Sequence, residues 1–193
     1  MKVSRIQETA YHEAAHAFLA LRYGLHFEGI EILATQAKRD GKIEVLAKPL
    51  KGNPQTPKIS KDGTTRAGNT YGVEPLTPHN IESSIVTLLG GPAVKQIITP
   101  SCKGFLLSLS GPASDMQDAR DICRIWWGLE GVKADRHIQK MLRGVKAIIQ
   151  EHWDIIVKIG DALLTSRNRR LSRRQVIRLA GGVRKVRRHH VKP

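Results

Sequence analysis

Cysteine is nearly missing from this chain: Cys102 and Cys123 are the only two in 193 residues. They make no CxxC pair and no disulfide framework, which excludes a stapled secreted scaffold and fits a reducing, cytoplasmic setting. Aromatic residues make up only 5% of the sequence. No run approaches the roughly 18 uncharged apolar residues of a spanning helix, so no segment reads as transmembrane. The N-terminus, MKVSRIQETAYHEAAH, has neither the apolar core nor the small-residue cleavage site of a secretory signal. Acidic residues disappear toward the C-terminus. From Ser166 to Pro193 stand eleven Lys or Arg and no Asp or Glu, leaving +4 of the net charge of +15 to everything before. The chain therefore reads as one domain, residues 1–180, nearly balanced in charge as far as residue 165, followed by a basic tail, 181–193. Tails of this kind bind nucleic acid or an anionic surface.

What is present is mostly helical patterning. Ser4 and Gln7 have capping-box spacing, and Gly24 is a C-terminal stop, which predicts a first helix between them. From Ala10 to Leu21 this helix is apolar on almost every face and belongs inside the fold. The stretches FEGIEIL and GKIEVLAK predict two strands around Arg39-Asp40-Gly41. Residues 49–76, rich in Pro, Gly, Thr and Lys, read as a long mobile surface loop. A second helix is expected from Thr77-Pro78, burying Ile81, Ile85, Leu88 and Leu89, with Gly90-Gly91-Pro92 interrupting it. A third opens at Ser114 and carries Met116, Ala119, Ile122, Cys123 and Trp126 on one side. A long fourth runs from Ala134 to Leu164, and a short last one from Ser172 to Ala180. The expected fold class is mainly α with a small β-sheet (α+β).

Within the first helix lies YHEAAH. His12 and His16, four apart, share a helix face and can turn both rings to one ion. Zinc suits two imidazoles and tolerates a tetrahedral site. Glu13, about 100° around the helix from His12, falls beside such an ion, where its carboxylate can take a proton from water. An HExxH match by chance in a chain of this composition has a probability of roughly 1–2%. The alternative role is a satisfied polar cluster in a buried helix. Leu19 and Arg22 stand where a metzincin extension needs Gly and His, so that class is excluded. Catalytic zinc takes three protein ligands, and two acids compete for the third place: Glu82 in the second helix and Asp115 at the start of the third. Asp115 has an ordinary alternative role, complementing a helix N-terminus. Spacing alone does not choose between them.

Three segments in order, YHEAAHAFLALRYG, SIVTLLGGPAVKQII and SGPASDMQDARDICR, resemble the peptidase domain of family M41, the FtsH-type membrane-anchored AAA proteases. The end of the long helix, IGDALLTSRNRRLSRRQVI, is also similar to that family's helical C-terminal region, so the likeness runs from about Gln7 to Leu179. The resemblance implies a helical zinc peptidase domain with His12, His16 and Asp115 as metal ligands and Glu13 as catalytic base. It also implies a polypeptide substrate and an AAA unfoldase as partner. The chain departs from the family at Ala15, at Pro92, and at Lys95 and Gln96, which replace acids. It contains no glycine-rich phosphate loop, so ATP binding by this chain is not expected. Two readings follow. The first is a zinc metalloendopeptidase acting on unfolded or partner-delivered proteins; the second is a catalytically silent, M41-like binding or regulatory protein, associated with nucleic acid through its tail.

Overall fold

The computed structural model describes residues 3–39, 42–47, 78–99 and 115–181. Residues 49–76, the tail from 182 onward, Cys102, and the cap residues Thr77 and Ser114 lie outside the described residues.

The first helix, α1 (Arg5–Tyr23), begins and ends where its caps place it. Ser4 accepts from the Gln7 backbone N–H while the Gln7 side chain accepts from the Ser4 N–H, a reciprocal capping box. Gly24 closes the helix in the left-handed region, at φ 75°, returning its N–H to the Ala20 and Leu21 carbonyls. Nearly everything from Ala10 to Leu21 is buried, with Phe18, Leu19 and Ala20 fully so. A helix buried on several sides needs neighbours on several sides. Here they are α2 (Pro78–Leu88), α3 (Gly90–Ile98), α6 (Trp153–Thr165) and the sheet.

Strands β1 (Gly29–Arg39) and β2 (Lys42–Ala47) form the expected antiparallel pair, with an irregularity in register between Thr35 and Arg39. A third strand, β3 (Arg170–Ser172), joins β1 on its other edge, pairing Ile30 with Leu171, so the sheet order is β2-β1-β3. Sequence patterning misses β3 because three residues are too few to show a period of two. Helix α4 (Asp115–Trp127) packs beside α2, and α5 (Gly131–Glu151) beside α3. No described helix is long and apolar enough to cross a membrane.

Two expectations need correction. The long fourth helix is two helices, α5 and α6, broken at His152 (φ −116°, ψ 27°). Apolar spacing cannot reveal the break, because Ile149 and Ile156 stay in phase across it and both are fully buried. The cause is tertiary. His152 Nε2 accepts from the Arg22 guanidinium at 3.0 Å, its ring stacks obliquely on Phe18, and Trp153 meets Tyr11 edge-on. Trp126 is the second correction. Met116, Ala119, Ile122 and Cys123 are buried as expected, but Trp126 is 37% exposed. Its neighbours Ile125 and Trp127 are exposed too, so the last turn of α4 runs past the core.

The short helix α7 (Arg173–Leu179) carries a second capping box, Ser172 with Gln175, and buries Val176.

Candidate metal centre

Helix α1 presents His12 and His16 one turn apart, and the N-terminus of α4 brings Asp115 to both. His12 Nε2 lies 3.1 Å from Asp115 Oδ2, His16 Nε2 lies 3.3 Å from the same oxygen, and the two ring nitrogens are 3.0 Å apart. These three atoms form a nearly equilateral triangle. Around an ion with ligand bonds of about 2.0–2.1 Å, the edges of a tetrahedron measure roughly 3.3 Å. The triangle therefore has the size of one face of such a tetrahedron. His12, His16 and Asp115 form a group that could hold a metal ion. Glu82, the rival third ligand, is exposed and stands outside this group; its charge is felt instead by Tyr23.

Each histidine is held by something besides its helix. The His16 Nδ1–H donates to the Thr87 carbonyl at 2.7 Å, which fixes the ring and turns Nε2 toward the site, where it can bind an ion once it gives up its proton. His12 is seated differently. Its ring lies against Gly91 of α3, so closely that a Cβ there would fall 2.0 Å from His12 Cε1. Gly90 meets the α1 backbone at Ala15 and His16, where an added Cβ would also lie 2.9 Å from Leu19 Cδ1. The double glycine thus lets α3 approach the ligand-bearing face of α1. From spacing alone, Gly90-Gly91-Pro92 reads as a helix interruption. A glycine pair does signal close approach; what it approaches is not readable from one chain segment. The Thr87 contact has no sequence signal at all, because a carbonyl belongs to every residue.

Electrostatics follow from burial and proximity. Burial alone would lower the His16 pKa, but the Asp115 carboxylate, with help from Glu13 and the Thr87 carbonyl, raises it to about 9 in the metal-free chain. Burial pushes Asp115 upward, yet the charges and hydrogen bonds of His16 and His12 hold it well below the usual carboxylate range. Glu13, 5% exposed, is raised chiefly by burial; the two histidines pull it down and Asp115 pushes it up. A carboxyl group kept more basic than usual, next to a metal-sized triangle, has the character of a proton acceptor.

No protein-family model matches the chain, and no curated protein matches it.

Among the described residues, no other histidine, cysteine or acid joins this group. Cys123 is fully buried, and burial pushes its thiol up to about 11, the behaviour of an inert core cysteine. His189 and His190 lie outside the described residues. Ser83 and Thr87 are both buried on α2, four residues apart, and neither hydroxyl has a hydrogen-bond partner among the described residues; the structure offers no physical account of that pair.

Proposed function

We propose that the chain is a zinc metalloendopeptidase. The observation that carries this reading is the meeting of Asp115 with both histidines of HExxH, with Glu13 buried alongside. His12, His16 and Asp115 would hold the ion: two imidazoles and one carboxylate are a donor set that zinc takes in catalytic sites. A bound zinc ion supplies Lewis acidity, lowering the pKa of water toward about 7 and polarising a scissile carbonyl. Glu13 accepts the proton of the attacking water and returns it to the leaving amine nitrogen. The Thr87 carbonyl keeps His16 in the tautomer that leaves Nε2 free, and Gly91 keeps the His12 ring turned inward. Strand β2, an edge of the sheet, offers backbone groups to an extended substrate strand, a mode of recognition tolerant of sequence. Substrates on this reading are unfolded chains, exposed tails, or chains delivered by a partner unfoldase.

Zinc content and cleavage of an unfolded casein-type substrate, measured on wild type, Glu13→Gln and Asp115→Ala, test the proposal. Glu13→Gln keeps one zinc per chain and loses cleavage by about 10²-fold or more. Asp115→Ala loses both. Wild-type cleavage by Glu13→Gln defeats the assigned mechanism. Stoichiometric zinc without any cleavage by the wild type leaves the silent binding protein as the better reading.

A further inference from the structure

Six arginines and no acidic residue occupy the twelve positions from Arg167 to Arg178. Structure makes this more than a run of charge. Arg167 and Arg169 sit in a 3-10 turn after α6, Arg170 on β3, and Arg173, Arg174 and Arg178 on α7. All these elements are tied to the core. Leu171 and Val176 are buried, β3 pairs with β1, and the Arg173 N–H donates to the Glu28 carbonyl at 2.8 Å. On β3 burial alternates, which turns Arg170 and Ser172 outward together while Leu171 points in. Arg174 and Arg178, four apart, share a face of α7, and both are exposed.

None of the six arginines lies within 4.0 Å of a carboxylate among the described residues. The Arg173 guanidinium lies 5.9 Å from the centre of the Phe27 ring, and its buried Nε–H has no partner. An open cleft of about 350 Å³ adjoins it, lined by His26, Phe27, Glu28, Ser172, Arg173 and Arg174. Glu28 is the single carboxylate on that wall, and Glu31 faces Arg170 across the strand pair. Two acids against six guanidinium groups leave the surface strongly positive.

Which polyanion fits is decided by residue type and by what surrounds the charge. Guanidinium forks bind phosphate oxygens in pairs, and every cation in this segment is arginine rather than lysine. A helix that lies in a membrane interface needs an apolar face to insert. Among the described residues, Ile177 is the only large apolar side chain exposed on these elements; the others exposed, Ile125, Trp126, Trp127 and Val132, belong to α4 and α5. We infer that the corner built by the 3-10 turn, β3 and α7 is a nucleic-acid surface that takes a phosphodiester backbone, with Arg167, Arg170, Arg174 and Arg178 as its contacts. It requires no base recognition and no peptidase chemistry. None of these four arginines belongs to the group of His12, His16 and Asp115 that could hold a metal ion.

The test is fluorescence anisotropy of the full chain with labelled DNA and RNA duplexes of one arbitrary sequence, at salt from about 50 to about 200 mM. Replacing Arg167, Arg170, Arg174 and Arg178 by Gln weakens binding to both duplexes by at least about tenfold. It also reduces the slope of log affinity against log salt by about 3 to 4. Replacing the same four by Lys keeps the slope, which guards against misreading a folding defect, and zinc content stays at the wild-type level in both variants. Three results overturn the inference. In one, the Gln variant binds as wild type while neutralising residues 184–192 abolishes binding. In another, the Lys variant loses the slope as the Gln variant does. In the third, phosphatidylserine vesicles bind the chain and the duplexes do not.

Discussion

Two neighbouring rings on α1, Tyr11 and His12, each rest on a glycine of another helix. Tyr11 lies against Gly160 of α6, where an added Cβ would come 2.3 Å from Tyr11 Cδ1; His12 lies against Gly91 of α3. The packing device is the same, but the consequences differ because the rings differ in freedom. Tyr11 is 2% exposed, donates its hydroxyl to Asp161 at 3.0 Å, and has Trp153 against its edge. The His12 side chain is 33% exposed. One ring has nowhere to go; the other can swing out to water. A crowded Tyr11 therefore strains the fold, whereas a crowded His12 abandons its place in the site and leaves the fold standing.

Paired substitutions test that contrast most severely. Gly91→Ala forces the His12 ring outward and breaks the triangle with His16 and Asp115. Zinc affinity then falls about 10–100-fold, the scale seen when a ligand loses its support, while the unfolding midpoint hardly changes. Gly160→Ala does the reverse. Overpacking costs about 1–3 kcal/mol, which lowers the midpoint by about 2–4 °C per kcal/mol for a chain of this size. Zinc affinity stays near wild type, read by competition with a chromophoric chelator. If both variants lose stability equally and bind zinc equally, the two seats are equivalent and the contrast fails.

This contrast also marks how far the sequence could be read. The caps of α1, the HExxH pattern inside it, and the strand pair were all legible, since each depends on residues close together in the chain. Asp115 was legible only as one of two acids. Its partners are a hundred positions away, and no periodicity reports which helix N-terminus meets which helix face; the family resemblance, not the spacing, favoured it. The break at His152 was invisible for the same reason, being made by Arg22 and Phe18 from the other end of the chain. Backbone contributions such as the Thr87 carbonyl leave no trace in residue identity.

A medium-sized effect is set by pH at His16, the ligand seated by the Thr87 carbonyl rather than by a glycine. His16 has a folded pKa of about 9 in the metal-free chain, above its ordinary 6.5. A raised histidine pKa contributes stability that is fully present below about 6.5 and lost as pH rises through about 9. Zinc needs the neutral ring, so below 9 each ion bound displaces a proton from His16. Apparent zinc affinity therefore rises with pH by about tenfold per unit between 6.5 and 9, then flattens. The gain in midpoint produced by saturating zinc grows over the same interval. A flat zinc-affinity profile between pH 6.5 and 9 would contradict the pairing of His16 with Asp115. In Gly91→Ala the slope survives, since His16 keeps both Asp115 and Thr87, although affinity is lower throughout.

The smallest expected effect comes from removing a single oxygen. Tyr11→Phe deletes the hydroxyl that donates to Asp161 and keeps the ring on Gly160. Asp161 is exposed, so its carboxylate exchanges the lost donor for water. The net cost is then that of one ordinary hydrogen bond, about 0.5–1.5 kcal/mol, a midpoint drop of only a few degrees by calorimetry. His12, one residue away, is indifferent to the change because Gly91 seats it and Tyr11 does not; zinc affinity and its pH slope stay at wild-type values. A zinc affinity that drops with Tyr11→Phe would mean that α6 reaches the site through Tyr11. The two glycine seats would then be parts of one support rather than two independent ones.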